Sequence, residues 1–319
     1  MQYLSSAVFQ IISIVMSILM ATGAIVPPST DQPIDPSNDP NLTFVAIADS
    51  QVSNYLFERE KVFISAADDI KNAKNLDALL IVGDIAENGC QSEFDRITLD
   101  LDGTTAANYV MVSGNHDIRL REYAQSSERF LTFMNNLNGN DETKVQTSLY
   151  YSTEINGYRF IVLGSEKMRM EDAYISSEQL GWLNNQLAEA TKDGKPVFVL
   201  CHYPLKNTHG LPLTWGNGKT DSGSVGDCSD KLYEIMNNYD NVFFITGHLH
   251  TGLGQYTYEK LGKVEGINLP SVGIENKDGE YNDAGTGYYV EVYDSSVIFR
   301  ARDFSKGTYL PQFDLEFSF

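Results

Sequence analysis

The segment ALLIVGD occupies residues 78–84 and decides how the chain is organised. Its apolar run is too short for a helix and ends at a glycine, which predicts a buried strand. Asp84 then stands at the carboxyl end of that strand. Similar apolar runs lie at 42–48, before an aspartate, and at 109–112, before the sequence GNHD. Polar residues at the carboxyl ends of buried strands are typical of functional sites in α/β folds.

Helical and strand-like segments continue along the rest of the chain. Asn156 and Gly157 join two apolar runs over 148–164, and this dipeptide predicts a tight hairpin turn. Ser176 and Gln179 form a capping box that opens a helix running to about Lys192. Helical segments lie at 58–73, 91–101 and 121–137, and further strand-like runs lie at 196–201, 242–246, 256–258, 264–269, 288–293 and 297–301. These patterns predict one α/β domain with two sheets over residues 42–319.

The composition limits the classes of partner. The chain has 319 residues, with 43 Asp and Glu against 23 Lys and Arg, which gives a formal net charge of −20. So acidic a chain repels a phosphate backbone and an anionic membrane surface, and we expect no nucleic-acid partner. Its 3 cysteines exclude a disulfide scaffold. Cys90 and Cys228 are candidates for one disulfide in an exported protein, a pairing that the sequence leaves open.

The N-terminal segment differs from the rest of the chain. No charged residue precedes Asp31, and an apolar run at 11–21 is followed by small residues. Residues 1–23 resemble a signal peptide without its basic start, with an N-terminal membrane anchor over 7–26 or a buried core segment as alternatives. Residues 24–41 hold half of the 10 prolines and are predicted to be a linker. We therefore expect an exported protein, either secreted or held at the cell surface.

The histidines are concentrated at the ends of predicted strands. The chain has only 5, at 116, 202, 209, 248 and 250, and four of them directly follow an apolar run. A single histidine of this kind is usually a hydrogen-bonded core or surface residue. Four of them, with Asp49 and Asp84 at two further strand ends, are hard to explain by packing. Buried carboxylates and imidazoles at this density need a compensating cation, which predicts a metal site.

Five short motifs occur in a fixed order: Asp49-Ser50-Gln51, Gly83-Asp84, Gly114-Asn115-His116-Asp117, Cys201-His202 and Gly247-His248-Leu249-His250. This order resembles that of the calcineurin-like metallophosphoesterase superfamily, over residues 42 to about 255. The resemblance implies a four-layer α/β/β/α sandwich with two mixed central sheets. It also implies a phosphatase or phosphodiesterase that hydrolyses a small phosphate ester or a nucleotide-like substrate.

The same resemblance implies a dinuclear metal centre. One ion would be held by Asp49, Gln51, Asp84 and His250, and the other by Asp84, Asn115, His202 and His248, so that Asp84 bridges them. Oxygen and imidazole ligands suit Mn, Fe or Zn. A bridging hydroxide would attack phosphorus, His116 would protonate the leaving group as general acid, and Asp117 would orient the His116 imidazole.

Two residues depart from the pattern of the superfamily. Gln51 stands where the family usually has histidine, as it also does in some relatives that look similar, including manganese-dependent ADP-ribose/CDP-alcohol diphosphatases. An amide oxygen is harder and weaker than an imidazole as a ligand, so Gln51 indicates either a harder metal such as Mn or a weakened first site. Glu87 replaces an aspartate, and Asn88 stands where protein Ser/Thr phosphatases have a phosphate-binding arginine. These two residues argue against the protein-phosphatase branch.

Residues 203–227 form a long segment with several glycines beside a predicted ligand, which favours a substrate-binding loop. Tyr203 and His209, together with Trp215, are the candidate substrate contacts there, and Asn88 is a candidate contact for phosphate. Each of them could equally be a local packing residue.

The sequence is compatible with two functions from different classes. The leading hypothesis is an exported hydrolase of phosphoric esters, with a small diester or diphosphate slightly favoured because of Gln51. The alternative is a non-catalytic binding or scaffold protein with a weakened first metal site. The near-complete set of predicted ligands argues against this alternative. The sequence does not indicate the oligomeric state.

Overall fold

A computed structural model describes residues 39–139, 142–215 and 223–319. The predicted signal peptide or anchor at 1–23 and all but the last three residues of the predicted linker at 24–41 lie outside the described residues, so both stay predictions. Within the described ranges, no helix is both long enough and apolar enough to cross a membrane. The first strand begins at Leu42, where the folded domain was expected to start.

The described residues form two mixed sheets and six α-helices. The strands are β1 (Leu42–Ile47), β2 (Ala78–Val82), β3 (Asn108–Val112), β4 (Tyr151–Ile155), β5 (Tyr158–Val162), β6 (Val197–Leu200), β7 (Val242–Thr246), β8 (Tyr258–Leu261), β9 (Val264–Asn268), β10 (Thr286–Val292), β11 (Ser296–Asp303), β12 (Thr308–Tyr309) and β13 (Leu315–Ser318). The helices are α1 (Phe57–Lys71), α2 (Gln91–Asp100), α3 (Asn115–Ile118), α4 (Tyr123–Leu137), α5 (Ser177–Ala190) and α6 (Ser229–Met236). Short 3-10 helices lie at Gly226–Cys228 and Pro311–Phe313.

The first sheet has the strand order β12-β11-β10-β1-β2-β3, and β13 also pairs with β11. Strands β1, β2 and β3 are parallel, whereas β10 runs antiparallel to β1. The second sheet has the order β4-β5-β6-β7-β9-β8, with β5, β6, β7 and β9 parallel and an antiparallel strand at each edge. The parallel strands of each sheet all end on the same side of that sheet, and the five motifs follow these carboxyl ends.

The two sheets pack face to face through aromatic side chains. The ring centroid of Phe44 in β1 lies 5.5 Å from that of Phe160 in β5 and 5.1 Å from that of Phe198 in β6. Because side chains alternate along a strand, Val197 and Val199 on either side of Phe198 face the other way. They lie in a second apolar cluster with α5 and α6. Helices α1, α2 and α4 pack apolar side chains into the core of the first sheet. This arrangement confirms the predicted α/β/β/α sandwich.

Local signals placed most element boundaries within a few residues. Asn156 and Gly157 have φ of 51° and 78°, as a type I′ turn requires. The side chain of Ser176 accepts a hydrogen bond from the backbone N–H of Gln179 over 3.2 Å, which confirms the predicted helix start. The strand predicted at 256–258 instead occupies Tyr258–Leu261, and β12 and β13 were not predicted. β12 has only two residues and gives no pattern, whereas β13 alternates apolar and polar residues, a signal that was available in the sequence. Cys90, Cys201 and Cys228 are free thiols.

Asp100, the last residue of α2, carries a charge that the fold disfavours. Burial and the nearby carboxylate of Glu60 raise its pKa to about 6, and its Oδ2 atom has no hydrogen-bond partner among the described residues. An aspartate in an unfolded chain titrates at about 4, so the folded state binds more protons between about pH 4 and pH 6. The free energy of unfolding should therefore fall as the pH rises through this window.

We expect Asp100→Asn to raise the free energy of unfolding at pH 7 by roughly 1 kcal/mol, less than the full pKa shift implies because the side chain is only half-buried. At pH 4 the effect should be small, because the wild-type carboxyl group is then largely protonated. Urea denaturation at both pH values measures the difference. Asp102→Asn removes an equal charge from an exposed side chain and is the control. An equal gain in both variants would contradict the assignment to Asp100.

Candidate metal centre

The predicted ligands sit on strained backbone at the carboxyl ends of strands. Five of them have positive φ, a conformation that costs about 1–3 kcal/mol each in a residue other than glycine. These are Asp49 (56°), Gln51 (40°), Asp84 (49°), His248 (75°) and His250 (50°). Such strain persists only where the surrounding structure compensates for it. The bends turn side chains from β1, β2 and β7 into one shared space between the two sheets' edges.

Glycine gives these bends the room that they need. Gly114 approaches Asp84 so closely that a Cβ atom there would overlap the carboxylate. Gly83, with φ of 85°, lies against the ring of His202, and a Cβ at that position would overlap the imidazole. Side chains other than hydrogen are therefore excluded at both positions. The glycines of the motifs thus let strands from the two sheets approach each other at the site.

Two groups of potential metal ligands share one aspartate. The first group is Asp84, His202 and His248, all buried, and the second is Asp49, Asp84 and His250. Within each group the ligand atoms lie within 4.8 Å of one another. Nε2 of His202 is 3.2 Å from Oδ2 of Asp84, and Nε2 of His250 is 3.2 Å from Oδ1 of Asp49. The structure thus brings these five predicted ligands together around two positions that share Asp84.

Hydrogen bonding shows that the first group fits a cation. Nδ1 of His202 lies 2.9 Å from the carbonyl oxygen of Val82, which can only accept, so this nitrogen carries the proton. In the neutral ring, Nε2 then presents a lone pair to the Asp84 carboxylate. Two electron-rich atoms at this distance need either a proton or a metal ion between them. A divalent ion fits that position, because neutral imidazole and carboxylate are its common ligands.

A buried polar atom points to the same conclusion. Oδ1 of Asn115 has no hydrogen-bond partner among the described residues. Buried polar atoms are rarely left unsatisfied in a folded protein. The sequence assigned Asn115 to the second ion, and a cation there would supply the missing partner. Nδ1 of His248 lies 3.1 Å from Nε2 of His202, which makes it the ring nitrogen available to the same cation.

The carboxylates and imidazoles also perturb one another. Burial opposes ionisation of His202, but the Asp84 and Asp49 carboxylates outweigh it and raise its pKa to about 9. Burial favours the neutral form of Asp84, yet the neighbouring imidazoles, His202 above all, hold its pKa far below the usual range. Burial and the neighbouring His202 lower the pKa of His248. The site therefore concentrates negative charge that protons or metal ions must balance.

His116 lies at the open side of this cluster. Its Nε2 atom is 3.9 Å from Oδ2 of Asp84, and its side chain is 19% exposed. Its Nδ1 atom is 2.8 Å from the carbonyl oxygen of Glu87, so Nδ1 carries a proton and Nε2 faces the site. The guanidinium of Arg119 lies 3.3 Å from that Nε2 atom. His116 is thus placed to exchange a proton at Nε2 with a bound molecule.

Asp117 has other partners than the sequence suggested. Its buried carboxylate accepts hydrogen bonds from the backbone N–H groups of Ile85, Ala86 and Gly114, at 3.0, 2.9 and 2.9 Å. Burial and the Asp84 charge raise its pKa to about 7. The prediction that Asp117 orients the His116 imidazole is therefore corrected, since the Glu87 carbonyl holds the ring. Asp117 instead fixes the turns after β2 and β3, and so positions Asp84 and Asn115.

The predicted substrate contacts lie mostly inside the protein. Tyr203 is buried, with its ring centroid 4.9 Å from that of His248. His209 is also buried, and its Nδ1 atom lies 2.8 Å from the carbonyl oxygen of Tyr256. Neither side chain is open to a substrate, which corrects both predictions. Asn88 is half-buried, and its side chain contacts Glu93 and Arg119. Its predicted contact with phosphate stays a prediction.

Trp215 lies beside a metal-ligand candidate. Its ring stacks on the His248 imidazole at a centroid distance of 4.4 Å and an interplanar angle of 25°. Gly223 lies so close to the indole that a Cβ atom on it would overlap the ring. Trp215 is half-buried in this position, and its predicted contact with a substrate stays a prediction.

Two arginines near the site were missed from the sequence. Arg59 contacts Gln51 and Glu87, and Arg119 contacts His116 and Glu87. Arg119 follows the GNHD motif by two residues, which is a signal that was available but unused. Arg59 comes from the first turn of α1, and no local pattern marks it. Among the described residues, these arginines bring positive charge close to an otherwise acidic site.

Comparisons with known proteins agree with this geometry. A probable cyclic nucleotide phosphodiesterase of Synechococcus sp. is 27% identical over 176 residues, which cover 54% of this chain but only 58% of that protein. A probable cyclic nucleotide phosphodiesterase of Rhodococcus erythropolis is 25% identical over 232 residues, or 70% of this chain and 68% of that protein. The similarity therefore covers little more than half of the length of the first relative.

The fold has a counterpart among solved structures. The crystal structure of a dimetal phosphatase from Danio rerio matches with a TM-score of 0.62, covering 88% of this chain and 99% of that chain at 16% identity. At this level of identity the similarity concerns the fold alone. Residues 42–252 match the family described as calcineurin-like phosphoesterase, a range that includes all the predicted ligands. The chain therefore belongs to the calcineurin-like phosphoesterase family.

Proposed function

We propose that this protein is a metal-dependent hydrolase of phosphoric esters, and that its substrate is a small phosphodiester of the nucleotide type. The observation that carries the proposal is the sharing of Asp84 between two groups of potential ligands. Two sites that share a carboxylate hold their ions close together, as phosphoester hydrolysis by two metals requires. The two relatives named as probable cyclic nucleotide phosphodiesterases support a diester. The apolar N-terminal segment supports an exported location.

We assign the ligands to two ions as the resemblance implies. Asp49, Gln51, Asp84 and His250 would hold one ion, and Asp84, Asn115, His202 and His248 the other. Two divalent ions supply a water molecule of lowered pKa and positive charge for the phosphoryl oxygens. The donor set contains no thiolate and mixes imidazole with oxygen, which suits Mn, Fe or Zn. The carboxylates of Asp49 and Asp84 also supply negative charge that would stabilise such ions in a site shielded from solvent.

His116 serves as the general acid in this proposal. The Glu87 carbonyl keeps the proton on Nδ1 and thereby aims Nε2 at the site. A proton at Nε2 can pass to the oxygen of the leaving group as its bond to phosphorus breaks. Arg119 is adjacent to His116 and can donate hydrogen bonds to a phosphoryl oxygen in the same space. In a chain with a net charge of −20, such a local cation helps an anionic substrate to bind.

A substrate panel tests the proposal directly. We expect the metal-loaded protein to hydrolyse bis(nitrophenyl) phosphate and 3′,5′-cyclic nucleotides faster than nitrophenyl phosphate, a monoester. Each substrate is assayed with Mn²⁺, Zn²⁺, Fe²⁺ and Mg²⁺ in turn. Absence of turnover with every ion and ester would contradict the proposal and favour the non-catalytic scaffold. A preference for the monoester would leave the hydrolase and reject the diester.

Asp84→Asn should release both ions, because the lost charge belongs to both groups. His250→Ala removes a ligand of one group only and is the matched comparison, so it should retain about one ion per chain. Elemental analysis after dialysis against a chelator-treated buffer gives the stoichiometry. One ion bound to Asp84→Asn as tightly as in the wild type would show that Asp84 is not shared.

His116→Ala should lower kcat by about 100- to 10,000-fold on a cyclic nucleotide, because its leaving group is a sugar alkoxide that needs a proton. The loss should be much smaller on bis(nitrophenyl) phosphate, since nitrophenolate leaves without protonation. The metal content of the variant should stay near the wild-type value. An equal loss on the two esters, or a parallel loss of metal, would refute the role of general acid.

A further inference from the structure

The side-chain amide of Gln51 lies between a cation and a carboxylate. Arg59, in the first turn of α1, donates a hydrogen bond from its guanidinium to Oε1 of Gln51 over 3.2 Å. Nε2 of Gln51 donates to Oδ2 of Asp84 over 3.3 Å. Gln51 is buried, whereas the Arg59 side chain is 27% exposed. The amide is therefore held at both of its polar atoms.

Donor and acceptor chemistry fixes which way the amide points. A guanidinium can only donate, and an ionised carboxylate can only accept. The amide oxygen must face Arg59, and the amide NH₂ must face Asp84. The reversed amide would place its NH₂ against the guanidinium and its oxygen against the carboxylate. Both contacts would then be repulsive, so Arg59 and Asp84 select the same orientation.

This orientation turns the ligand atom of Gln51 away from the metal position. An amide binds a divalent cation through its carbonyl oxygen, not through its NH₂ group. A cation among Asp49, Asp84 and His250 would therefore receive no ligand from Gln51 as the amide stands. Ligation requires the amide to rotate, and the rotated NH₂ would meet Arg59. The amide oxygen has two lone pairs, but it faces the Arg59 guanidinium while the NH₂ group faces Asp84, so Arg59 and a cation compete for that oxygen.

Arg59 has a second acceptor to which it can turn. Its guanidinium also pairs with Oε2 of Glu87. The other oxygen of that carboxylate accepts a hydrogen bond from Arg119 over 2.9 Å. Arg59 can therefore give up Gln51 and keep its ion pair. Breaking the hydrogen bond between Arg59 and Gln51 has a modest free-energy cost, which the binding of the cation must offset.

We propose that Arg59 competes with the cation of the Asp49, Asp84 and His250 group for the carbonyl oxygen of Gln51, and so lowers the affinity of that position. The proposal rests on the two-metal centre of the proposed function. It makes the position that contains Gln51 the weaker of the two. Arg59 is thus a positioning residue that acts through Gln51. Arg119 shares Glu87 with it but does not contact Gln51 in this way.

Calorimetric titration of the metal-free protein with Mn²⁺ tests the proposal. We expect the wild type to bind one ion tightly and a second one more weakly. Arg59→Met should tighten the weaker ion by about tenfold, the effect of one hydrogen bond to a charged group, and leave the tighter ion unchanged. Arg119→Met is the matched control, because it removes an equal charge and another contact to Glu87. It should change the weaker affinity by less than about twofold.

A double-mutant cycle tests the route through Gln51. In Gln51→His, an imidazole replaces the amide and no amide rotation is needed, so adding Arg59→Met should bring little further gain. Arg59 lies on a half-exposed part of a helix and Met is a good helix former, so the variant is expected to fold. The thermal unfolding of each metal-free variant checks this. Gln51→His alone should also bind the weaker ion more tightly than the wild type, but imidazole is the stronger ligand in any case, so the test is the absence of a further gain in the double variant.

The outcomes distinguish failure of the competition by Arg59 from failure of the two-metal centre. An equal gain in Arg59→Met and Arg119→Met would show a general effect of charge and overturn the competition. A wild type that binds two ions, with no gain in Arg59→Met, would overturn it and leave the two-metal centre intact. Fewer than two ions in the wild type and in every variant would overturn both. One ion in the wild type and two in Arg59→Met would support the competition in its strongest form.

Discussion

Two buried carboxylates facing the same imidazole form the constraint on which this structure depends. Nε2 of His202 lies 3.2 Å from Asp84 and 3.9 Å from Asp49, with all three side chains excluded from solvent. Negative charge in such a position is unstable unless a cation balances it. The strained turns after the strands and the glycines beside Asp84 and His202 all serve to keep this arrangement. The fold can be understood as the support for a charged cluster that neither sheet could assemble alone.

Much of this could be predicted from the sequence because the chemistry follows strand ends. An apolar run that stops at Asp49 or Asp84 marks both the strand and its polar terminus, so the fold and the ligand set were inferred together. The burial of Tyr203 and His209 was harder to predict, because the sequence of a loop without periodicity does not indicate which of its residues point inward. The role of Asp117 depends on backbone N–H groups from two turns about 30 residues apart in the chain, and no pattern of residue types records such partners.

Glu87 connects parts of the site that the sequence treated separately. It accepts hydrogen bonds from Arg119 and Arg59 through its side chain, and its carbonyl oxygen faces His116. Glu87 therefore contacts His116, which is the proposed general acid. It also contacts Arg119 beside His116, and Arg59, which holds Gln51. A change of its side chain would disturb both arginines at once. An aspartate in its place would keep the carbonyl oxygen that faces His116, but its shorter side chain could not reach both arginines in the same way.

The indole of Trp215 lies between His248 and Gly223, within the segment that borders the site. The orientation of a candidate metal ligand in one motif therefore depends on a residue from a different part of the chain. A substitution at Trp215 would leave the His248 ring free to tilt, although no ligand atom had been changed.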